Sequence, residues 1–362
     1  MASSIMRMLS TNNGETTRVS GRARKGTGMR IALSTIVLVY AVMASAVAQE
    51  IAGSGSTFCF PVMMKLTEAY EKLKGAHIQY QPIGSAGGIT EIQHEIVDFA
   101  VSEAPLESEQ LLRDGLGQFP LVIGAIVPVV NLAGIPAGQL RFTGSLLADI
   151  YLGKVTKWND PAVAALNPDL KLPNLAILVV HRTDGSGTTF NWANYLSEVS
   201  ADWKVRVGAN TTVAWPTGVG GKGNVGVAEK VARVPGAIGY IDYPYAARAK
   251  LTYGLVQNQA GKFVIPNLDS FQAATLSVDW MKQRDFYVLL TDASATNAYP
   301  IMATSFVIVR KYPHDPGRAR DILAFFRWAL ENGQELARGL EYLPLPPPLV
   351  QQIEAHWAED NH

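Results

Sequence analysis

The sequence predicts an α/β protein, and three observations carry that prediction. Strand-like and helix-like stretches alternate from about residue 50 onward, several of the strand-like runs are almost wholly apolar, and Gly/Ser/Thr-rich turns join them. Of the 362 residues, 48% are hydrophobic and 17% charged, a balance that excludes a disordered or fibrous chain. The length favours two domains over one.

The first segment reads as a leader. Arg22, Arg24, Lys25 and Arg30 precede the apolar run "IALSTIVLVYAVMA" and the small-residue triplet Ala46-Val47-Ala48. This is the pattern of a cleaved secretory signal peptide, with cleavage expected after Ala48. A transmembrane anchor needs roughly 20 apolar residues, and this run is shorter. No cysteine stands at the cleavage point, so a lipid anchor is not indicated. Residues 1–28 read as extra N-terminal sequence, with Met29 a candidate start. Six of the 31 basic and one of the 31 acidic residues fall in residues 1–48, which leaves 25 against 30 in the remaining 314. A mildly acidic chain has no electrostatic footprint for nucleic acid. The single cysteine, Cys59, has no intramolecular disulfide partner and reads as a small buried hydrophobe.

The elements follow in order. "HIQYQPIG" (77–84) alternates apolar and polar residues as a strand does, and "ITEIQHEI" (89–96) has helical spacing. "DFAVS" (98–102) is a short apolar strand, and "LESEQLLRDG" (106–115) is helical. "FPLVIGAIVPVVN" (119–131) is long and nearly all apolar, the mark of a strand covered on both faces. "LAILVVHR" (175–182), a helix from Thr188 to about Val199, "GAIGYID" (236–242) and "IMATSFVIVRK" (301–311) come next. Two helix-like segments, "GRARDILAFFRWALENG" and "PPLVQQIEAHWAE", close the chain. Mostly parallel sheets are the expectation from this alternation. The long apolar strands 119–131 and 301–311 are candidates for chain crossings between domains. That makes the expected organisation a discontinuous domain I of 49–126 plus 306–362 and a domain II of 127–305, after the leader of 1–48.

Three loops share one pattern. "GSGSTFCF" (53–60) precedes a helix expected near Pro61, "GSAGG" (84–88) one near Ile89, and "DGSGTT" (184–189) one at Phe190. Each is a Gly/Ser/Thr loop at the carboxyl end of a strand, opening a helix. A helix N-terminus carries unsatisfied N–H groups and partial positive charge, and glycine lets the backbone approach a ligand. A single loop of this kind is usually only a capped turn. Three in equivalent positions, one bearing Arg182 at the end of a buried-looking strand, point to a clamp for an oxyanion. Arg182 offers a planar fork of donors, and Asp184 is close enough in sequence to hold it.

Other chemistries fail on spacing. "GVGGKGN" (218–224) lacks the leading Gly and the Ser/Thr after Lys222 that a nucleotide P-loop needs. No serine lies in a G-x-S-x-G elbow, and the six histidines have no paired ligand spacing. No metal site and no cofactor are expected, and His181 reads as a packing or surface residue.

"GSGSTF", "YQPIGSAGG", "VDFAVSEAPL", "GQFPLVIGAIVPVVN", "DIYLGKVTKWND", "DGSGTTF", "GGKGN" and "PGAIGY" occur in this order over residues 51–360. In these motifs the chain closely resembles the periplasmic phosphate-binding protein family, the substrate-binding subunits of bacterial high-affinity phosphate ABC transporters. The resemblance implies a two-domain, type II periplasmic-binding-protein fold with the ligand in the interdomain cleft. It implies no enzymatic activity and a periplasmic monomer. The implied partners are inorganic phosphate and an inner-membrane permease of two membrane subunits with an ATPase. Carried over by position, the phosphate-binding residues implied are Ser56, Thr57 and Phe58 in the first loop and Ser85 in the second. Arg182, Ser186, Gly187 and Thr188 follow in the third loop, with Asp184 supporting Arg182.

One position departs from the family. Ser-Asp-Ala-Pro is usual, and this chain has Ser102-Glu103-Ala104-Pro105. The resemblance gives the acid the task of accepting the ligand's own proton, which admits hydrogen phosphate and penalises sulfate. Glu103 keeps the acceptor and adds a methylene, which leaves affinity and selectivity open. Two other readings stand beside the carrier: a periplasmic phosphomonoesterase on the same fold, and a binder of another tetrahedral oxyanion.

Overall fold

The computed structural model describes residues 50–359, so the expected signal peptide lies outside the described residues. The first elements are β1 (Ile51–Gly55), α1 (Phe60–Lys74), β2 (Ile78–Gln81), α2 (Ser85–Gln93), β3 (Phe99–Ser102), α3 (Ser108–Asp114) and the long β4 (Leu116–Val130). After β5 (Arg141–Phe142), α4 (Gly144–Tyr151) and α5 (Pro161–Leu166) come β6 (Leu178–Arg182), α6 (Gly187–Val199) and α7 (Ala201–Arg206). Next are β7 (Val219–Gly221), α8 (Gly223–Arg233), β8 (Ala237–Asp242) and α9 (Tyr243–Arg248). Three short strands, β9 (Thr252–Tyr253), β10 (Leu255–Gln257) and β11 (Phe263–Val264), lead to α10 (Leu268–Leu276). Finally β12 (Met302–Arg310) precedes α11 (Pro316–Asn332), α12 (Gln334–Arg338) and α13 (Pro347–Glu359).

One sheet runs through the unit in the order β2-β1-β3-β12-β4-β8-β6-β7. Its two ends are parallel sets, β2-β1-β3 and β8-β6-β7. Its centre is antiparallel, because β12 pairs with β3 and β4, and β4 pairs with β8, in opposite directions. The expectation of mostly parallel sheets is therefore corrected to a mixed sheet. The alternation of strands and helices in sequence carries no information on the direction of two strands that take the chain across the sheet and back.

β4 and β12 are the members shared by both ends. Residues 116–125 of β4 pair with β12, and residues 126–130 pair with β8. All 15 residues of β4 are buried, which is why its sequence shows no alternation. Its register with β12 slips between Ser305, which faces Val122, and Phe306, which faces Pro120, leaving Leu121 as the extra residue beside Pro120. Proline has no N–H to give the ladder, so the pairing yields there and forms a bulge.

Two helices begin earlier than the sequence suggests. α2 starts at Ser85 rather than near Ile89, and α6 spans Gly187–Val199, one residue before the Thr188 expected for the helix and three before the Phe190 expected to follow the loop. The Gly-rich loops are thus the first helical turns themselves. Gly84 makes this possible for α2 with φ of 101°, a left-handed value that glycine reaches without strain. At α6 the Ser186 side chain caps the helix by accepting the Thr189 N–H at 3.1 Å.

Candidate functional site

The three Gly/Ser/Thr segments meet where the two parallel sets face each other across β4 and β12. Contact is close at Gly187, where a Cβ would stand 2.6 Å from Ser85 Oγ and 2.7 Å from the Glu103 nitrogen. Only glycine lets the start of α6 approach α2 and the β3–α3 loop this closely.

Glu103 is the centre of one cluster. It is 1% exposed, and its carboxylate collects three hydroxyls. Ser56 Oγ donates to Oε1 at 2.5 Å, Ser305 Oγ to Oε1 at 2.9 Å and Ser85 Oγ to Oε2 at 3.3 Å. Two of these hydroxyls are relays. Ser56 Oγ accepts the Phe58 and Cys59 N–H groups at 2.9 and 3.3 Å, and Ser85 Oγ accepts the Gly187 N–H at 3.0 Å. The starts of α1 and α6 are thereby connected through serine to a single carboxylate. Asn191 Nδ2 of α6 donates to the Glu103 carbonyl at 2.6 Å. Burial pushes the Glu103 pKa above the ordinary carboxylate value, against the opposing pull of the three hydroxyls and the Arg182 charge.

Arg182 is the centre of the second cluster. It is 4% exposed, and its Nε donates to Asp184 Oδ1 at 2.8 Å while Nη2 donates to Asp184 Oδ2. Nη1 reaches Thr188 Oγ1 at 3.3 Å and Asn224 Oδ1 at 3.2 Å. Asp184 also accepts the Gly223 N–H at 2.9 Å. Burial pushes the Asp184 pKa up, but the Arg182 hydrogen bonds and charge outweigh it and hold the carboxyl below its ordinary value. Thr57 Oγ1 accepts the Asn224 N–H at 3.4 Å, so the first loop also reaches the start of α8.

The structure gathers Ser56, Ser85, Glu103 and Gly187 into one network and Arg182, Asp184 and Thr188 into the other. Thr57 joins the second through Asn224. The Phe58 side chain faces the core, with its ring 5.9 Å from that of Tyr342, and the Ser186 oxygen serves as the α6 cap. His181 stacks on Trp215 with ring centres 4.9 Å apart, a packing role. Among the described residues, no group of three or more His, Cys, Asp or Glu is arranged to hold a metal ion.

Sequence reasoning missed Ser305, Asn191 and Asn224. The Thr-Ser step in "IMATSFVIVRK" interrupts an otherwise apolar strand and was the available signal for Ser305. Asn224 closes "GGKGN", a segment whose chemistry spacing alone does not reveal. Its Nδ2 is buried without a hydrogen-bond partner, a donor whose desolvation costs roughly 1–3 kcal/mol unless something accepts from it. With a buried guanidinium beside it and three helix N-termini converging, the arrangement suits a small anion.

Paired α/β halves joined by two crossing strands, with facing donor-rich loops, define a two-lobed binding protein. The sequence matches the model of the PBP superfamily domain over residues 41–332. It is 50% identical over 311 residues to the phosphate-binding protein PstS of Xylella fastidiosa (strain 9a5c), covering 86% of this chain and 85% of that one. With the phosphate-binding protein PstS of Haemophilus influenzae it shares 46% identity over 324 residues, covering 90% and 97%. The fold also matches the crystal structure of a phosphate-binding protein from Stenotrophomonas maltophilia, with a TM-score of 0.67 at 18% identity, covering 85% and 94%. The chain belongs to the PstS family of phosphate-binding proteins within the PBP superfamily.

Proposed function

We propose that this protein binds inorganic phosphate between two lobes and delivers it to an inner-membrane ABC permease of two membrane subunits with an ATPase. The lobes are 49–126 with 306–362, and 127–305. The chain acts as a periplasmic monomer after loss of the segment ending at Ala48. The observation that carries the reading is the buried Arg182 guanidinium, fixed by Asp184 beside the unpartnered Asn224 donor. Around it, Thr57, Ser186 and Thr188 offer hydroxyls, and Ser56 orients Glu103. The Phe58 amide, Ser85 hydroxyl and Gly187 amide, now donated to Ser56, Glu103 and Ser85, exchange those partners for the ligand when it binds.

Glu103 selects the anion. A carboxylate offers about four acceptor positions, and hydroxyls fill three of them here. The fourth accepts the proton of hydrogen phosphate, whereas sulfate has no proton to give and meets only like charge. The hydrolase reading finds no support among the similar proteins, which are named phosphate-binding proteins.

Calorimetry of the chain from Gln49 with phosphate, sulfate and arsenate tests the reading. Binding of one phosphate with rejection of sulfate at neutral pH is expected. No phosphate binding would sink it.

A further inference from the structure

We infer that Ser305, on the crossing strand β12, is a positioning residue that fixes which oxygen of Glu103 meets the ligand, and thereby controls anion selection. The inference rests on the phosphate reading above and deepens it.

The three hydroxyls are not distributed evenly. Oε1 holds the Ser56 and Ser305 protons, and Oε2 holds only that of Ser85. With about two acceptor positions per oxygen, Oε1 is saturated and the remaining position is on Oε2. Oε2 lies on the side of Ser85 and the Gly187 amide, where α6 approaches. Without Ser305, Oε1 has a vacant position too, and the carboxylate can present either oxygen.

The fold has placed Ser305 for this contact. β12 pairs with β3 only from Phe306, whose partner Ser102 is the residue before Glu103. Ser305 itself faces Val122 of β4, at the edge of a bulge whose extra residue is Leu121 of β4. Bulges of this kind re-aim a side chain next to a site. Ser305 is fully buried, and among the described residues Glu103 is the hydrogen-bond partner of its hydroxyl. Its neighbour Thr304 is also buried, but its hydroxyl has no partner, so the pair provides its own control.

The chemical consequence has a sign. A hydroxyl donated to a carboxylate favours the charged form. Losing it lets Glu103 keep a proton to higher pH, and a protonated Glu103 donates to a fully deprotonated anion instead of repelling it. The groups facing Glu103 are Arg182 of β6, Asp242 of β8, Cys59 before α1, Tyr80 of β2 and Tyr342 before α13. Burial raises the Cys59, Tyr80 and Tyr342 pKa values, so these stay neutral through the acidic and neutral range. Asp242 titrates near neutrality.

The experiment measures sulfate and phosphate affinity from about pH 5 to 8 for wild type, Ser305→Ala and Thr304→Val, with Ser305→Ala repeated in an Asp242→Asn background. Wild type should take up sulfate only as pH falls. Ser305→Ala should bind sulfate at least about threefold more tightly at a given pH, with its profile displaced upward, as loss of one charge-assisted hydrogen bond implies. Thr304→Val should follow wild type for both anions, and the Asp242→Asn background should keep the displacement. Ser305→Ala removes one oxygen without adding volume, so the fold should survive. Coincident sulfate profiles for wild type and Ser305→Ala, or no sulfate binding by either at any pH, would overturn the inference and leave the phosphate reading standing. Failure of wild type to bind phosphate would remove both.

Discussion

The Gly187 amide donates to Ser85 Oγ at 3.0 Å, joining α6 to α2 across 102 positions of the chain. Ala86 N–H to the Gly185 carbonyl at 3.0 Å and Asn191 Nδ2 to the Glu103 carbonyl at 2.6 Å cross the same gap. Such links contribute about 1 kcal/mol each. A ligand that touches both sides adds its differential affinity for the closed arrangement.

Phosphate should therefore shift the molecule toward closure about β4 and β12. Small-angle scattering should give a smaller radius of gyration with phosphate than without it. Identical radii would mean that no hinge operates between the residue sets.

Arg182→Ala should weaken phosphate binding by at least about 1.5–3 kcal/mol, because it removes a charge-assisted donor from a dry site. Lys222→Ala should change it little, since Lys222 is exposed and makes no side-chain cap at the start of α8. Lys222 lines a cavity of about 610 Å³ together with Thr57, Asp184 and Asn224, and comparable losses in calorimetry would mean that the anion is held toward Lys222 in that cavity rather than on Arg182.

The Arg182–Asp184 pair was legible because its members are two residues apart, at a strand end and in the following loop. The Gly/Ser/Thr segments were legible because their composition is local. β4 could be read as a covered strand because every side chain in it is buried. The Ser305–Glu103 contact spans 202 positions and lies beside a bulge at Leu121 of β4, which no local pattern encodes. Asn191 looks like any polar residue of an amphipathic helix until α6 is laid against the β3–α3 loop. The helix start at Ser85 was hidden because glycines normally argue against helix, and here close packing demands them.

Glu103→Gln should lower the phosphate-to-sulfate ratio by more than about tenfold, equivalent to about 1.4 kcal/mol. Two hydroxyls point at Oε1, so the amide oxygen should settle there and its NH₂ should occupy the Oε2 place. Phosphate then loses the acceptor for its proton, while sulfate gains a donor and is relieved of the like charge. Paired titrations with both anions check this. An unchanged ratio would put Glu103 out of contact with the ligand.

Asp242 should make stability fall as pH rises toward neutrality. It is fully buried at the end of β8, where Oδ2 accepts the Tyr245 N–H at 3.0 Å to cap α9, and Oδ1 has no partner. Burial pushes its pKa to about 7, helped by the nearby Glu103 charge and opposed by the Tyr245 amide and Arg248. In the unfolded chain an aspartate titrates at about 3.9. Between those values the folded chain holds a proton that the unfolded chain has released, so the stabilisation is complete below the unfolded value and drains away as pH climbs to about 7. The slope is at most about 1.4 kcal/mol per pH unit for one proton. Glu103, raised by burial, slopes the same way, while His181, lowered by burial, slopes the other way. The comparison must therefore be made against a variant that retains both. Asp242→Asn keeps an oxygen to cap α9 and carries no charge. Its melting temperature relative to wild type should rise steadily from about pH 5 to 7 and level off above. Melting curves that keep a constant offset across that range would show that Asp242 carries the same protonation in the folded and unfolded chains.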